Sequence, residues 1–388
     1  MFEDFAQYAA HYHDTLGVIR RARFLNVIVD ITNACNIRCV MCSLTAEDPD
    51  KRQRAVFLSR PEFDRMMGDL LPLTALLRLS CGYEPLASPH FVDILESVRQ
   101  FRVPYVDLVT NGTLLRGKKL DAIIRCGVDM VVVSMDSSRK ETFEGIRVGA
   151  KFDTVVENVT RLSQRKRELR SRTPALALGV TLMRRNVDHL DELFHLAADL
   201  GVAEIHLQQL FAIDGLGLET ETLADEPERV DATLNRARDL AAQLGIRLVS
   251  PRNPGAAYRP SRATIVRNRW IALRAKADRV LSHPGDSVRS MASRAFDALQ
   301  ARRRERAARP YCIMPFNHVV VSPGARVKPC AFASDEFIEV CDPGGSVGAI
   351  VRGERFDTLR RRILAGDAPE MCRRCPEMGM YNTLRTGE

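Results

Sequence analysis

Short apolar, β-branched runs alternate with amphipathic segments of helical length over the first 250 residues. Six runs have the length of a buried strand and end in polar residues or glycine: LNVIVDI (25–31), LLRLSCG (76–82), VDLVTNG (106–112), MVVVSMD (130–136), LALGVTLM (176–183) and EIHLQQL (204–210). Segments such as SPHFVDILESVRQF lie between them and carry the apolar spacing of a helix. This alternation predicts a parallel sheet, and six units predict an α/β fold built as a partial (βα)6 TIM-like barrel.

The pattern changes twice after the sixth run. A helix near 226–243 and the strand IRLVS (246–250) extend the barrel, and PRNPGAAYRPS then interrupts it. From Pro310 cysteine, glycine and proline become more frequent, and NHVVVSPGARVKPC predicts a hairpin that turns at Ser322–Gly324. The predicted domains are a helical extension (1–24), the barrel (25–250), a basic helical linker or insertion (251–309) and a small α+β domain (310–388).

Bulk composition favours a cytoplasmic protein with a sizeable core. Apolar residues make up 45% of the 388, without an eighteen-residue apolar run that could span a membrane. The N-terminus MFEDFAQYAAHYHD lacks the apolar segment of a signal peptide. Ten cysteines in such a chain are expected to be metal ligands or buried thiols rather than disulfides.

The formal charge of +8 is concentrated in one segment. Residues 259–309 hold fourteen Arg or Lys against four Asp or Glu. Such a segment is either a solvated helix face or a patch that attracts an anionic partner. Nucleic acid is not expected, because neither aromatic interleaving nor a base-reading motif accompanies the charges.

The most specific chemical signal is ITNACNIRCVMC, directly after the first predicted strand. It spaces Cys35, Cys39 and Cys42 as C-x3-C-x2-C. Chemistry in such folds sits at the carboxyl ends of the strands. Zinc prefers four ligands, and a 4Fe–4S cluster is normally held by four thiolates. Three local cysteines would leave one iron of a cluster open to another ligand.

This loop resembles the hallmark motif of the radical S-adenosylmethionine (SAM) superfamily. That motif has an apolar or aromatic residue before the third cysteine, and Met41 takes this place here. The resemblance implies a partial barrel and a 4Fe–4S cluster on three cysteines. It also implies that SAM binds the open iron and is cleaved to methionine and a 5′-deoxyadenosyl radical, which removes hydrogen from a substrate. Structural or zinc-binding cysteines are the alternative.

Other strand ends extend the resemblance. Gly82-Tyr83-Glu84-Pro85 is similar to the family's GGEP motif, with Tyr83 in place of the second glycine. The segment SMDSSRKETFEGIRVGAKFDTVVENVTRL is similar to its S-x-D…IR…F-x-x-V-x-x-N element. The resemblance implies that six residues contact SAM: Met41, Gly82, Glu84, Asn111, Ser134 and Arg147. A strand-end cap for Ser134 and a surface position for Arg147 are the alternatives.

Three further residues are candidates for substrate binding. Strand alternation turns Asp136, His206 and Gln208 toward the barrel interior, where simple packing is the alternative. We assign no proton acceptor from the sequence, so the catalytic residues stay unknown.

Four cysteines near the C-terminus could hold a second, fully ligated cluster. Cys312 and Cys330 flank the predicted hairpin, and Cys372-x2-Cys375 follows. Zinc is an alternative, because a hairpin with a CxxC pair is also typical of zinc ribbons. The region resembles the SPASM/Twitch extension of radical SAM enzymes, which implies one auxiliary 4Fe–4S cluster. Cys341 is left without an evident partner, and the turn before Cys330 is one residue longer than the usual pattern.

The resemblance implies a radical SAM oxidoreductase-type enzyme. The leading hypothesis is dehydrogenation, epimerisation or rearrangement of a carbohydrate- or aminocyclitol-like small molecule. The basic segment would suit a phosphorylated or nucleotide-linked form of it. The alternative is a maturase of a ribosomally made peptide, although only 24 residues precede the first strand, too few for the usual peptide-recognition domain. A non-catalytic iron–sulfur protein is a third class. A flavodoxin or ferredoxin is the expected electron donor.

Overall fold

The structure is a computed structural model that describes most of the predicted barrel and part of the C-terminal region. The described residues are 25–46, 54–80, 82–210, 216–249, 314–330, 333, 335–365 and 367–373. The predicted N-terminal extension, the basic segment 251–309, Cys312 and Cys375 lie outside these ranges.

The contacts divide the chain into two units. One comprises residues 16–251 and 314–357 and contains every described strand. The other comprises 1–15, 252–313 and 358–388, of which 358–365 and 367–373 are described.

Twelve strands are present in the described residues. They are β1 Leu25–Val29, β2 Arg38–Cys39, β3 Thr74–Leu79, β4 Tyr105–Thr110, β5 Met130–Ser134, β6 Arg147–Val148, β7 Ala175–Leu182, β8 Glu204–Gln209, β9 Arg247–Val249, β10 His318–Ser322, β11 Arg326–Lys328 and β12 Glu339–Val340. Ten form one sheet in the order β12-β11-β10-β1-β3-β4-β5-β7-β8-β9, and β2 pairs with β6 separately.

All six predicted barrel strands are confirmed, as β1, β3, β4, β5, β7 and β8. Each pairs in parallel with the next. The predicted seventh strand is β9, which pairs in parallel with β8. Because all these strands run in one direction, their carboxyl ends and the loops that follow meet at the same edge of the sheet.

The predicted hairpin is present and joins the barrel sheet. β10 and β11 pair antiparallel around the turn 323–325, with Val321 opposite Val327. β10 also pairs in parallel with β1, where Val319 is opposite Val27. The domain limits predicted from composition stay a prediction. The sheet pairing shows that the hairpin extends the barrel sheet, a long-range pairing for which the sequence carries no local signal.

Twelve α-helices are present in the described residues. They are α1 Ser43–Ala46, α2 Arg60–Met67, α3 Phe91–Gln100, α4 Gly117–Arg125, α5 Lys140–Ile146, α6 Phe152–Glu168, α7 Leu190–Asp199, α8 Pro227–Leu244, α9 Met314–Asn317, α10 Val347–Val351, α11 Glu354–Ala365 and α12 Glu370–Arg373. In the part of the chain that the structure describes, none of them combines the length and the apolar character that a membrane crossing needs.

The core lies between one face of the barrel strands and the apolar stripes of the helices. Val27 and Leu77 are fully buried and belong to one hydrophobic cluster with residues of α3. That helix buries Phe91, Ile94 and Leu95, which recur at helical spacing. Each large apolar side chain removed from water in this way stabilises the fold by about 1.5–3 kcal/mol.

A polar contact joins the turn after α2 to α10. The Asp69 carboxylate accepts hydrogen bonds from the Ser346 hydroxyl (2.9 Å), the Gly348 backbone N–H (3.2 Å) and the Arg352 guanidinium (2.8 Å). Ser346 also caps α10 by accepting from the Ala349 backbone N–H. Negative charge at a helix N-terminus is favourable, so this contact helps to hold α10 in place.

Gly348→Ala tests this packing. The added methyl would overlap the Asp69 carboxylate at a distance that real Cβ atoms do not adopt. We expect a loss of about 1–3 kcal/mol in the free energy of unfolding, measured by urea denaturation. Gly344→Ala is the matched control, because an added methyl there meets nothing within 4 Å. When Asp69 is also replaced by alanine, Gly348→Ala should lose most of its destabilising effect, because the methyl then has nothing to overlap. If the destabilisations of Gly348→Ala and Asp69→Ala simply add up, the contact between the two residues is contradicted.

Candidate active site

The loop that carries the three local cysteines is fixed by backbone pairing. β2 and β6 run antiparallel, with Cys39 directly opposite Arg147. The Val40 N–H donates to the Ile146 carbonyl at 2.9 Å. The middle of the loop therefore has a defined position relative to the residues that follow α5.

Cys35, Cys39 and Cys42 are all free thiols. Cys39 is buried and the other two are half-buried. Burial raises the pKa of the Cys35 thiol, and the neighbouring charges of Glu84, Cys39 and Cys42 raise it further. The three sulfurs thus lie close enough to affect one another electrostatically. A positively charged group bound between them would relieve that repulsion, because the thiolate is the ligand form.

Arg147 is half-buried between a carboxylate and a cysteine, with 13% of its side chain exposed. Its Nε donates to Asp136 Oδ2 at 2.6 Å and its Nη2 to Asp136 Oδ1 at 3.1 Å. Its Nη1 donates to Cys39 Sγ at 3.4 Å. Burial opposes the charge of the guanidinium, but Asp136 and Cys39 outweigh it and raise the Arg147 pKa. Arg147 therefore carries a full positive charge beside the sulfur of Cys39.

Asp136 is itself held rigidly. Its side chain is 0% exposed, and its Oδ1 accepts a further hydrogen bond from the Thr181 N–H at 2.8 Å. The Asn186 amide donates to the carbonyls of Asp136 (2.9 Å) and Thr181 (2.8 Å). The ends of β5 and β7 thus form a fixed frame behind Arg147.

Glu84 is buried and bonded on both carboxylate oxygens. Oε1 accepts from the Leu86 N–H (3.0 Å) and the Thr110 hydroxyl (2.8 Å), and Oε2 accepts from the Asn111 N–H (2.7 Å). The Glu84 N–H donates to the Ala34 carbonyl at 3.1 Å. Glu84 therefore connects the ends of β3 and β4 to the start of the cysteine loop.

Asn111 continues this connection toward the cysteines. Its Nδ2 donates to Asn36 Oδ1 at 3.0 Å and lies 3.9 Å from Cys35 Sγ. Its Oδ1 accepts from the Thr113 N–H and hydroxyl at 3.0 and 2.7 Å. The buried Asn158 amide fixes the same turn by donating to the carbonyls of Gly112 and Thr113.

Ser134, Gly179 and His206 form one row across β5, β7 and β8. Ser134 is paired with Gly179, and Gly179 with His206. Val131 and Val133 belong to the main core cluster, so Ser134 lies on the opposite face of β5. Gly179 suits a crowded point of this row, because an added Cβ would lie only 3.3 Å from a methyl of Val132.

The polar side chains of β8 are oriented by neighbours. His206 Nε2 lies 3.1 Å from Glu204 Oε2, which also accepts a hydrogen bond from Arg247. The Gln208 amide donates to the Thr181 hydroxyl at 3.0 Å. His206 and Gln208 thus share the inner strand face predicted from the sequence.

Met41 and Gly82 complete the predicted set. Met41 is half-buried against an apolar cluster that contains Ile146 and Met183. The Gly82 N–H donates to Asp30 Oδ1 at 3.2 Å. Asp30 follows β1, so this bond joins the end of β1 to the turn after β3.

Residues 29–208 match the family model described as the Radical SAM superfamily. The cysteine loop and all six barrel strands lie within or at the edge of this range. The chain carries a radical SAM domain.

Curated relatives of this chain differ in their named reactions. A probable GTP 3′,8-cyclase of Sulfurisphaera tokodaii is 26% identical over 213 residues, which are 54% of this chain and 64% of the relative. A PqqA peptide cyclase of Gluconobacter oxydans is 25% identical over 183 residues, which are 47% of this chain and 48% of the relative. The matching segment thus spans about half to two thirds of these relatives.

Solved radical SAM structures share the fold. Streptococcus suis SuiB bound to S-adenosylmethionine gives a TM-score of 0.59 at 10% identity, covering 96% of this chain and 76% of SuiB. The structure of anSMEcpe with bound AdoMet, another name for SAM, gives 0.58 at 15% identity, covering 92% and 84%. SuiB is also known bound to a precursor peptide, SuiA.

Radical SAM domains imply SAM and a 4Fe–4S cluster. Thiolates are the ligands that iron–sulfur clusters take, and the cysteine loop supplies three thiols. Within the described ranges, no three Cys, His, Asp or Glu side chains converge as ligands of one metal ion would.

Several residues at this site carry no role in the sequence-based prediction. Thr181 and Asn186 hold Asp136, and Glu204 orients His206. Asn158 is the last residue of the F-x-x-V-x-x-N element, so the motif itself marked it. Thr181, Asn186 and Glu204 have no such signal, because only strand pairing brings them to the site.

The buried Glu84 predicts a pH-dependent stability. Burial raises its pKa to about 7, against the effect of its hydrogen bonds. Folding thus favours the neutral form of the Glu84 carboxyl. The stability that this form contributes is present at low pH and is lost as the pH rises through about 7. The free energy of unfolding should fall by up to about 3 kcal/mol between about pH 5 and pH 8, measured by urea denaturation under reducing conditions.

Glu84→Gln removes this titration and should flatten the profile. Glu157→Gln, on a surface ion pair with Arg161, is the control and should keep the wild-type slope. Parallel profiles for wild type and Glu84→Gln would contradict the prediction.

Proposed function

We propose that the protein reductively cleaves SAM and uses the resulting 5′-deoxyadenosyl radical to remove hydrogen from a small polar, carbohydrate- or aminocyclitol-like substrate. The observation that carries this proposal is the cysteine loop. Three free thiols lie at the carboxyl edge of a parallel sheet, and Arg147 and Asn111 bond or approach two of their sulfurs. Cys35, Cys39 and Cys42 hold the 4Fe–4S cluster, which when bound supplies the electron that cleaves SAM.

SAM binds between this cluster and the neighbouring strand ends. The residues assigned to it are Met41, Gly82, Glu84, Asn111, Ser134 and Arg147. Their support is positional: they lie on the cysteine loop or follow β3, β4, β5 and α5, next to the same edge of the sheet. Glu84 already accepts three protein hydrogen bonds, so its main contribution is to hold Asn111 and the loop in place.

The substrate occupies the inner face of the barrel. His206 and Gln208 are the assigned contacts, and Asp136 acts through its neighbours because its side chain has no exposed surface. Glu204 fixes the imidazole of His206, which leaves Nδ1 directed away from that pair. The hydrogen-bonding groups of His206 and Gln208 favour a small polar molecule that is dehydrogenated, epimerised or rearranged. If the substrate is dehydrogenated, the reaction is of the oxidoreductase type.

Two similarities bear on the substrate class. The likeness to a probable GTP 3′,8-cyclase favours a phosphorylated or nucleotide-linked small molecule. The likeness to a PqqA peptide cyclase favours the alternative, a peptide maturase. The electron donor in either case is a flavodoxin or ferredoxin.

A second part of the proposal is an auxiliary 4Fe–4S cluster of the SPASM/Twitch type. Its ligands are Cys312, Cys330, Cys372 and Cys375. Cys330 follows β11 and is half-buried, whereas Cys372 lies in α12 and is buried. Cys312 and Cys375 lie outside the described residues.

Anaerobic reconstitution with iron and sulfide, followed by dithionite and SAM, tests the core of the proposal. Wild type should form 5′-deoxyadenosine, measured by liquid chromatography. Cys39→Ser should reduce its formation at least about a hundredfold, because the cluster loses a ligand. Cys126→Ser is the matched control, since this half-buried thiol is the C-cap of α4 and should leave the yield unchanged. A wild type that binds a 4Fe–4S cluster yet leaves SAM intact would instead favour the non-catalytic iron–sulfur class.

Iron counting tests the auxiliary cluster. Two 4Fe–4S clusters predict about eight irons per reconstituted chain, and Cys330→Ala or Cys372→Ala should lower the count to about four. Cys341→Ala is the control, because its buried thiol contacts the Asp342 carbonyl and should leave the count at about eight. About four irons and one zinc in the wild type would contradict this part of the proposal.

A further inference from the structure

Arg147 is held against Cys39 by the backbone as well as by its side chain. The two residues are register partners in the β2–β6 pair. Gly149 adopts φ +97°, a backbone conformation that favours glycine, and it packs beside Ile37 of the loop. The position of Arg147 relative to the sulfur therefore does not depend on a flexible surface side chain.

The guanidinium is also fixed from behind. Both Asp136 oxygens accept from Arg147, and Thr181 and Asn186 fix Asp136 in turn. A planar guanidinium held by two bonds on one side can present its remaining N–H groups in only one direction. Here that direction leads to Cys39 Sγ, at 3.4 Å.

We propose that Arg147, oriented by Asp136, is a positioning residue that binds the sulfur of Cys39 and raises the reduction potential of the cluster on the cysteine loop. The inference rests on the proposed function, since it requires a 4Fe–4S cluster at Cys35, Cys39 and Cys42. Reduction adds negative charge to a cluster. A hydrogen bond and a positive charge at one ligand sulfur stabilise the reduced form more than the oxidised form.

This role differs from the contact with SAM assigned to Arg147 by resemblance. A residue that acts only on SAM would leave the cluster unchanged when SAM is absent. A residue that acts on Cys39 changes the cluster whether or not SAM is bound. Measurements without SAM therefore separate the two roles.

A second Arg–Asp pair in the barrel, with a buried carboxylate and a partly exposed guanidinium, supplies a control. Arg78 donates to Asp107 through Nε (2.9 Å) and Nη2 (2.6 Å), the same two-bond geometry as in the Arg147 pair. Arg78 is the fifth of the six residues of β3, and its carboxylate partner is Asp107 on β4 rather than Asp136 beside the cysteine loop. Arg78→Gln thus reports what the loss of such a pair does to folding alone.

The test is a redox titration of the reconstituted full chain without SAM, followed by electron paramagnetic resonance. The signal that changes when SAM is added afterwards identifies the three-cysteine cluster. In Arg147→Gln the ratio of reduced to oxidised cluster at a fixed potential should fall at least about tenfold, a shift of about 59 mV to more negative potential. Arg147→Lys keeps the charge and should shift less, and Arg78→Gln should not shift. An unchanged potential in Arg147→Gln, or an equal shift in Arg78→Gln, overturns the inference.

Arg147→Gln could instead fold without assembling the cluster. Circular dichroism and iron content then decide the matter. If Arg147→Lys restores the cluster, the positive charge at Cys39 is what matters, and the inference stands. If Arg147→Lys also folds without a cluster, the inference is overturned. A wild type that binds no cluster refutes the proposed function itself, whereas a wild type that cleaves SAM with a potential indifferent to Arg147 refutes only this inference.

Discussion

The common direction of the barrel strands is the constraint on which the site depends. Because β1 pairs in parallel with β3 and the later strands continue that order, the chain returns to one edge of the sheet after every helix. Residues more than a hundred positions apart, such as Cys39 and Arg147, become direct neighbours there. The parallel order brings these groups together, and buried hydrogen bonds then set their distances.

Two buried carboxylates accept most of the hydrogen bonds that set these distances. Glu84 accepts three hydrogen bonds from the ends of β3 and β4, and Asp136 accepts three from Arg147 and Thr181. Burying a carboxylate is costly unless such partners compensate it. The cost is consistent with a function in which position matters, because a loop that presents three thiols needs a rigid support more than it needs added stability.

The sequence predicted the strands, their direction and the cysteine loop because those features have local signals: apolar runs, helical spacing and C-x3-C-x2-C. It could not predict that β10 pairs with β1, since this pairing joins segments nearly 300 residues apart. It also assigned Arg147 to SAM alone. The contacts with Asp136 and Cys39 depend on tertiary packing, which a motif does not encode. Asn158 was predictable only in part. Its place in the F-x-x-V-x-x-N motif could be read from the sequence, but its hydrogen bond to the Gly112 carbonyl could not.

The central claim is that three cysteines hold a cluster whose fourth iron is open to SAM. The most direct measurement is electron–nuclear double resonance on the reduced, reconstituted protein with SAM labelled by 15N in its amino group and 17O in its carboxylate. The account predicts hyperfine coupling from both labels to the cluster, which Cys39→Ser abolishes. A reduced 4Fe–4S cluster that shows no coupling to either label in the presence of saturating SAM would contradict it.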